Sequence, residues 1–464
     1  MIEKLLPIGS TRNAIMLSAG LLLLAMIAGV ASVGYASVAG GNLVRLAALP
    51  AAIVLLMVLI FDKERLFIGI FLLRAGADIA FSEGKFDLGG YAFGIGGVVN
   101  AFVMLIAALY LIQTPRALSR RMLLPWGMFL LVVLVGVVRA PAMGEAIRTA
   151  LGLMSWAAVF VIAQYLVANG RSFGGCVRIV MLSTIIPVIG GLISLATGHG
   201  VVEGRLAGMF SHPNIFAFYL VLAISLALYT SRQPTCRYRS LMSLYMLVLL
   251  GLLALTQTRS AWISCTALFA AYGLFFERRY LVYLALAPVV ALMIPEVRDR
   301  LLDLQSGNEY VMYAKLNSFA WRKLIWESGL SWMSPMNYLA GYGLEAFYTW
   351  SPIFFPLSGG NNFGAHNIFV QLIFDLGVVG LLLFLNIFAK AIQILRGGMR
   401  VDRLGAAIMI LLMLAYLVTA FSDNMFGYLV FNWYFWFMVG AGCAAWGAKS
   451  DKPEAGITQR EARP

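Results

Sequence analysis

The chain has 464 residues, 61% hydrophobic and 12% charged, a balance that excludes both an ordinary soluble domain and a disordered chain. Its net charge of +13 would point to nucleic acid in a soluble chain, but much of the Lys and Arg sits in short connectors between apolar runs, where it sets topology, so no nucleic-acid partner is expected. Cys176, Cys236, Cys265 and Cys443 form no CxxC pair, so neither a disulfide framework nor a metal site is expected.

In chain order, the first apolar run, Ala14 to Val33, reads as a first span or an uncleaved signal anchor. Further runs lie near 44–61, 66–81, 98–113, 122–138, 149–168, 179–197, 214–230, 241–257, 260–276, 281–294, 368–388, 404–422 and 430–447. They predict an all-α, polytopic integral membrane protein with about 12–14 transmembrane helices. The expected parts are an N-terminal transmembrane bundle over 1–294, a large loop over 295–367, C-terminal spans over 368–447, and a charged, disordered tail over 448–464. Lys and Arg are about twice as frequent in the connectors of one side, which places both termini in the cytoplasm and the long loop outside. The run 66–81 is short and carries Arg74 and Asp78 four residues apart, one helical face that needs pairing or a polar cavity in lipid.

The stretch from Pro295 to Asn367 is neither apolar enough to span nor short enough to be a simple connector. At roughly 70 residues it exceeds the usual connector length, and its Trp321, Trp326, Trp332 and Trp350 are not linker composition. Those rings could stack on sugars, although interfacial belts use the same residues, and the belt reading is preferred. Gly341-Tyr342-Gly343 reads as a tight turn and not a phosphate loop, because no Lys-Ser/Thr pair follows.

Two outer-face arginines outside the loop lie where topology statistics disfavour them. Arg205 is in Glu203-Gly204-Arg205-Leu206 and Arg259 is in Thr258-Arg259-Ser260. A planar, permanently charged fork suits phosphate oxygens, and a helix opening at Ser260 as cap would add N–H donors beside Arg259. The competing reading is snorkelling to headgroups, or pairing with a loop carboxylate such as Glu203. His366, followed by Asn367, opens the span 368–388 where the loop returns, a place for a general base near neutral pH or for a simple interfacial histidine. His212 is expected to cap a helix with Pro213 in its first turn.

Taken together, Gly204-Arg205-Leu206 through His212-Pro213-Asn214, Thr256-Gln257-Thr258-Arg259-Ser260, and the loop with Trp321-Arg322, Gly341-Tyr342-Gly343 and Ala365-His366-Asn367 resemble the O-antigen ligase and O-antigen (exopolysaccharide) polymerase superfamily. The resemblance covers about residues 200–385. It implies a GT-C-like, metal-independent, inverting glycosyltransferase of the bacterial inner membrane, with its active site facing the periplasm and no cofactor. The implied donor is an undecaprenyl pyrophosphate-linked oligosaccharide and the acceptor a glycan or lipid A-core. Flippase and chain-length regulator proteins would be partners, alongside membrane lipid. By motif, Arg205, Arg259 and Arg322 would hold the pyrophosphate, His366 would deprotonate the acceptor hydroxyl, and His212, Asn214 and Asn367 would support them. Phe421-Ser422-Asp423-Asn424 resembles the polymerases and tilts the reading from ligase to polymerase. A lipid-linked oligosaccharide flippase or other carrier using Arg74 and Asp78 is the alternative from another class.

Overall fold

The computed structural model describes residues 61–83, 85–88, 91–115, 118–293, 295, 298 and 316–447. The expected span 13–33, residues 44–60 of the expected span 44–61, the loop residues 299–315 and the tail 448–464 therefore lie outside the described residues. The chain is an all-α polytopic membrane protein, and eight of its described helices are long and apolar enough to cross a bilayer.

The helices in order are α1 (Asp78–Glu83), α2 (Ile95–Gln113), α3 (Arg120–Val138), α4 (Met143–Ala168), α5 (Phe173–Ser183) and α6 (Ile185–Thr197). Then follow α7 (Pro213–Arg232), α8 (Arg239–Leu255), α9 (Arg259–Phe275) and α10 (Arg279–Leu292). The loop supplies α11 (Ser318–Trp332), α12 (Pro335–Ala340) and α13 (Ala346–Phe354), and the chain continues through α14 (Ile368–Gly398), α15 (Arg403–Ala420) and α16 (Leu429–Gly447). A short hairpin, β1 (Val201–Val202) with β2 (Arg205–Leu206), pairs Val202 with Arg205.

The run 66–81 is not one helix: residues 75–77 form a turn, and a new helix starts at Asp78. The run 179–197 starts earlier, at Phe173, and breaks at Thr184 into α5 and α6. The last apolar run before the loop, α10, has 14 residues with Pro288 inside it, too short to cross a bilayer unaided.

Helices that are apolar all round belong in an interior. α16 carries Trp433, Tyr434, Phe435, Trp436 and Phe437 in succession, and all are buried. At Gly440 a methyl group would stand 2.5 Å from the carbonyl oxygen of Phe160, so α4 and α16 meet backbone to backbone. α7 is buried on every side, from Pro213 to Tyr229. Outer helices leave apolar faces exposed, as Leu124, Leu131, Leu134 and Val138 do on α3, which is what lipid solvates.

The described part of the loop has its own core: Trp326, Phe347 and Phe374 are buried together, with Trp332, Tyr342, Trp350 and Phe354 packed against them. It docks on α14 where that helix breaks at Gly377 (φ 71, ψ −179). The break frees two carbonyls, which accept from the turn: Tyr342 N–H donates to Phe374 O and Gly343 N–H to Asp375 O, both at 2.9 Å. The Arg139 guanidinium donates to the carbonyls of Ala340 (2.9 Å) and Gly341 (2.8 Å). The Gly-Tyr-Gly segment is thus a docking turn, and Arg139 has a structural reason for its place at the end of α3.

Candidate functional site

Four stretches distant in sequence converge on one cleft of about 240 Å3, lined by Arg205, Asn214, Thr258, Arg259, Arg322 and Asp423 among others. Each is delivered by a local device. The β1–β2 hairpin turns through Glu203 and Gly204, both at positive φ, and presents Arg205 at its second strand. Its guanidinium donates to Thr256 O (3.0 Å), Asn214 Oδ1 (2.5 Å) and Thr258 Oγ1 (2.9 Å), neutral acceptors that aim the fork.

α9 begins at Arg259 itself, with Thr258 at the cap position, so the expected Ser260 cap is corrected. The Ser260 hydroxyl instead donates to Asp423 Oδ2 at 3.3 Å, because the helix starts one residue earlier and turns that side chain toward α15's end. Asn317 caps α11 by accepting from the N–H groups of Phe319 (3.1 Å) and Ala320 (2.9 Å), which sets Arg322 in the first turns, over the cleft. Among the described residues the Arg322 guanidinium makes no hydrogen bond or ion pair with protein.

His212 caps α7 as expected: its Nδ1 accepts from the Asn214 N–H at 3.1 Å, with Pro213 in the first turn. Burial, and secondarily Arg205, lower its pKa and leave it neutral. Asn214 is the hub beneath the cleft: its Oδ1 accepts from Arg205, and its Nδ2 donates to Asp423 Oδ1 (3.0 Å) and the Tyr428 hydroxyl (3.2 Å).

His366 is not part of the cleft lining; it stands beside it, close enough to Arg322 and His212 to feel their charges. Burial first, then Arg322 and His212, bring its pKa down to about 4, so the imidazole is neutral at pH 7. Trp321 meets its ring edge-on at a centroid distance of 6.0 Å. Its backbone lies at φ 48, and Asn367 caps α14 by accepting from Phe369 N–H (2.9 Å) and Val370 N–H (3.2 Å). Asn367 is buried and committed to that cap, so it acts by fixing the residue before it. Of the four non-glycine residues at positive φ among the described residues, Glu203, Gln257 and His366 flank this site, where local strain is characteristically stored.

This geometry has a counterpart among known proteins. Residues 244–385 match a family model described as O-antigen ligase. The match covers under a third of the chain. No curated protein matches the chain. The matched segment contains Arg259, Arg322, His366 and Asn367, whereas Arg205, His212 and Asn214 precede it and Asp423 follows it.

Two acidic residues support the site in ways that the sequence does not announce: Asp423 is given no role there, and Asp78 only that of a carrier's partner to Arg74. Asp423 is fully buried, accepts from Asn214, Tyr428 and Ser260, and has its pKa raised by burial. Asp78, ion-paired with Arg74 at 3.4 Å, accepts from both the N–H and the hydroxyl of Ser211 at 3.1 Å. It thereby fixes the residue preceding His212. The signal available in sequence was the cost of an acid in an apolar setting, which announces a partner without naming it.

Proposed function

We propose that the protein is a membrane glycosyltransferase of the bacterial inner membrane that transfers a glycan from undecaprenyl pyrophosphate, most simply as a polysaccharide polymerase. The observation that carries this reading is the convergence of Arg205, Arg259 and Arg322 on one cleft, with neutral His366 beside Arg322. Three guanidinium groups around one cleft, Arg205 held by its hydrogen bonds, match the charge that a departing pyrophosphate develops, and a donor of that kind is worth about 3 kcal/mol in analogous sites.

In this reading the acceptor sugar enters from the periplasmic side with its hydroxyl toward His366. Its oxygen attacks the anomeric carbon from the face opposite the leaving group, and the hydroxyl proton passes to the imidazole nitrogen. The bond from the anomeric carbon to the pyrophosphate oxygen breaks, and its electron pair leaves on the pyrophosphate, which the arginines receive. Inversion follows from the single displacement. An imidazole with a pKa of about 4 is a weak base, but a pyrophosphate bound near Arg322 offsets the cation that depresses it, so donor binding strengthens the base.

The ligase reading, transfer to lipid A-core, is favoured by the description of the matching family. Complementation of a strain lacking the protein, with His366→Ala and Arg259→Ala at matched expression, tests both. Single repeat units accumulating on the carrier indicate a polymerase, and long unattached lipid-linked chains a ligase. If both variants sustain normal glycan, the catalytic reading fails and a carrier working through Arg74 and Asp78 takes its place.

A further inference from the structure

A larger cavity lies at the other end of the helix pair that supports the site. α3 and α14 run antiparallel: the C-terminal end of α3 meets the loop, where Leu344 N–H donates to Gly136 O, and Phe129 packs on Phe384 midway. At their far end opens a cavity of about 950 Å3, lined by Arg121 and Leu124 of α3, by Lys390, Gln393 and Arg396 of α14, and by Arg400 just beyond. From Gly377 to Arg396 a helix rises roughly 29 Å, about the thickness of a hydrocarbon core. The cations therefore lie at headgroup level on the side opposite the arginine cleft.

Two features separate this cavity from ordinary topological charge. The side chains of Lys390, Arg396 and Arg400 are exposed and make no hydrogen bond or ion pair with any described residue, so no described carboxylate compensates their charge. Deeper in the same wall, one and two turns toward the bilayer centre, Leu124 and Met128 of α3 are exposed by 67% and 44%. Cations at the headgroup level over an apolar groove at the acyl level match both halves of one molecule.

We infer that this cavity is a binding site for an anionic phospholipid, its phosphate held by Arg396, Arg400, Lys390 and Arg121 and an acyl chain lying along Leu124 and Met128. Each basic group near an anionic headgroup strengthens attachment roughly fivefold. The inference does not depend on the glycosyltransferase reading, because its test reads lipid binding.

The test is native mass spectrometry of the purified full chain in detergent, titrated with phosphatidylglycerol or phosphatidylcholine of equal chain length. The expected result is preferential retention of phosphatidylglycerol by the wild type, a loss of that preference by tenfold or more in Arg396→Gln/Arg400→Gln, and full retention in Arg237→Glu, an exposed arginine outside the cavity. Arg400→Gln alone, beyond the last helical turn, carries the test if the double variant does not fold. Equal retention of both lipids, an unchanged preference in the Arg400→Gln variant, or an equal loss in Arg237→Glu would each overturn the inference. So would displacement of the lipid by glycerol 3-phosphate at comparable concentration, since that would assign the site to a free phosphate.

Discussion

His366 combines a positive φ, a capping neighbour and a cation close by, and each has a measurable consequence. Its pKa of about 4 lies below the ordinary histidine value of about 6.5, so the folded chain binds fewer protons than the unfolded chain between those limits. Stability contributed by neutral His366 is present above pH 6.5 and is lost as the pH falls through that window. His212, depressed for similar reasons, acts in the same direction. The unfolding midpoint is expected to fall on acidification from pH 7 to pH 4.5, and to fall less in His366→Gln; an identical pH profile in the variant would show that the imidazole is not the titrating group. In the same way, the acid limb of kcat/KM reports free His366 near pH 4, while that of kcat lies higher, because bound pyrophosphate offsets Arg322. At this scale the sequence announced residue types better than it announced partners. Arg205, Arg259 and His366 stand out by position and Arg322 by resemblance, but that Asp423 shares the cleft with the three arginines follows from contacts spanning about 200 residues, such as Asn214 with Asp423, which no local pattern encodes.

The loop is held as an element by glycines that admit backbone where a side chain would collide. At Gly377 a methyl group would stand 2.0 Å from Leu339 O, and at Gly341 it would stand 2.2 Å from Asp375 O, both at positive φ. Gly377→Ala is expected to destabilise the docked loop by about 2 kcal/mol or more and to expose 316–367 to protease, while the transmembrane helices remain inserted. Limited proteolysis with mass mapping reads this, and wild-type protection would refute it. Asp375 adds to the same joint, capping α13 by accepting from Glu345 N–H at 3.0 Å and Phe347 N–H at 2.8 Å. The helices themselves were legible from apolar runs because burial in lipid or protein demands them. Their breaks were not: nothing in the run 368–388 marks Gly377 as a left-handed break until the Gly-Tyr-Gly turn is seen to fill the carbonyls it frees.

Across the whole molecule, the cleft is a property of the assembled bundle, since the hairpin before α7, the start of α9, the first turns of α11 and the end of α15 each contribute a wall. Asp78 reaches into this arrangement from before α2 by binding Ser211, so Asp78→Asn is expected to lower activity by roughly tenfold by loosening that contact and, because it removes the counter-charge of buried Arg74, to lower stability as well. A carrier relying on that carboxylate would instead lose everything. The sharper test of assembly is the pair Asn214 and Asp423, joined at 3.0 Å with Tyr428 bonded to both. Removing either side chain leaves buried partners unsatisfied, at about 1–3 kcal/mol per group, whereas removing the second takes away one of the groups already stranded. The double variant Asn214→Ala/Asp423→Ala is therefore expected to be only slightly less stable than the worse single variant, an interaction of about 1 kcal/mol or more by thermal or denaturant unfolding in detergent. Strict additivity would mean that the two residues act independently, and the cleft floor would then have to be two separate supports and not one network.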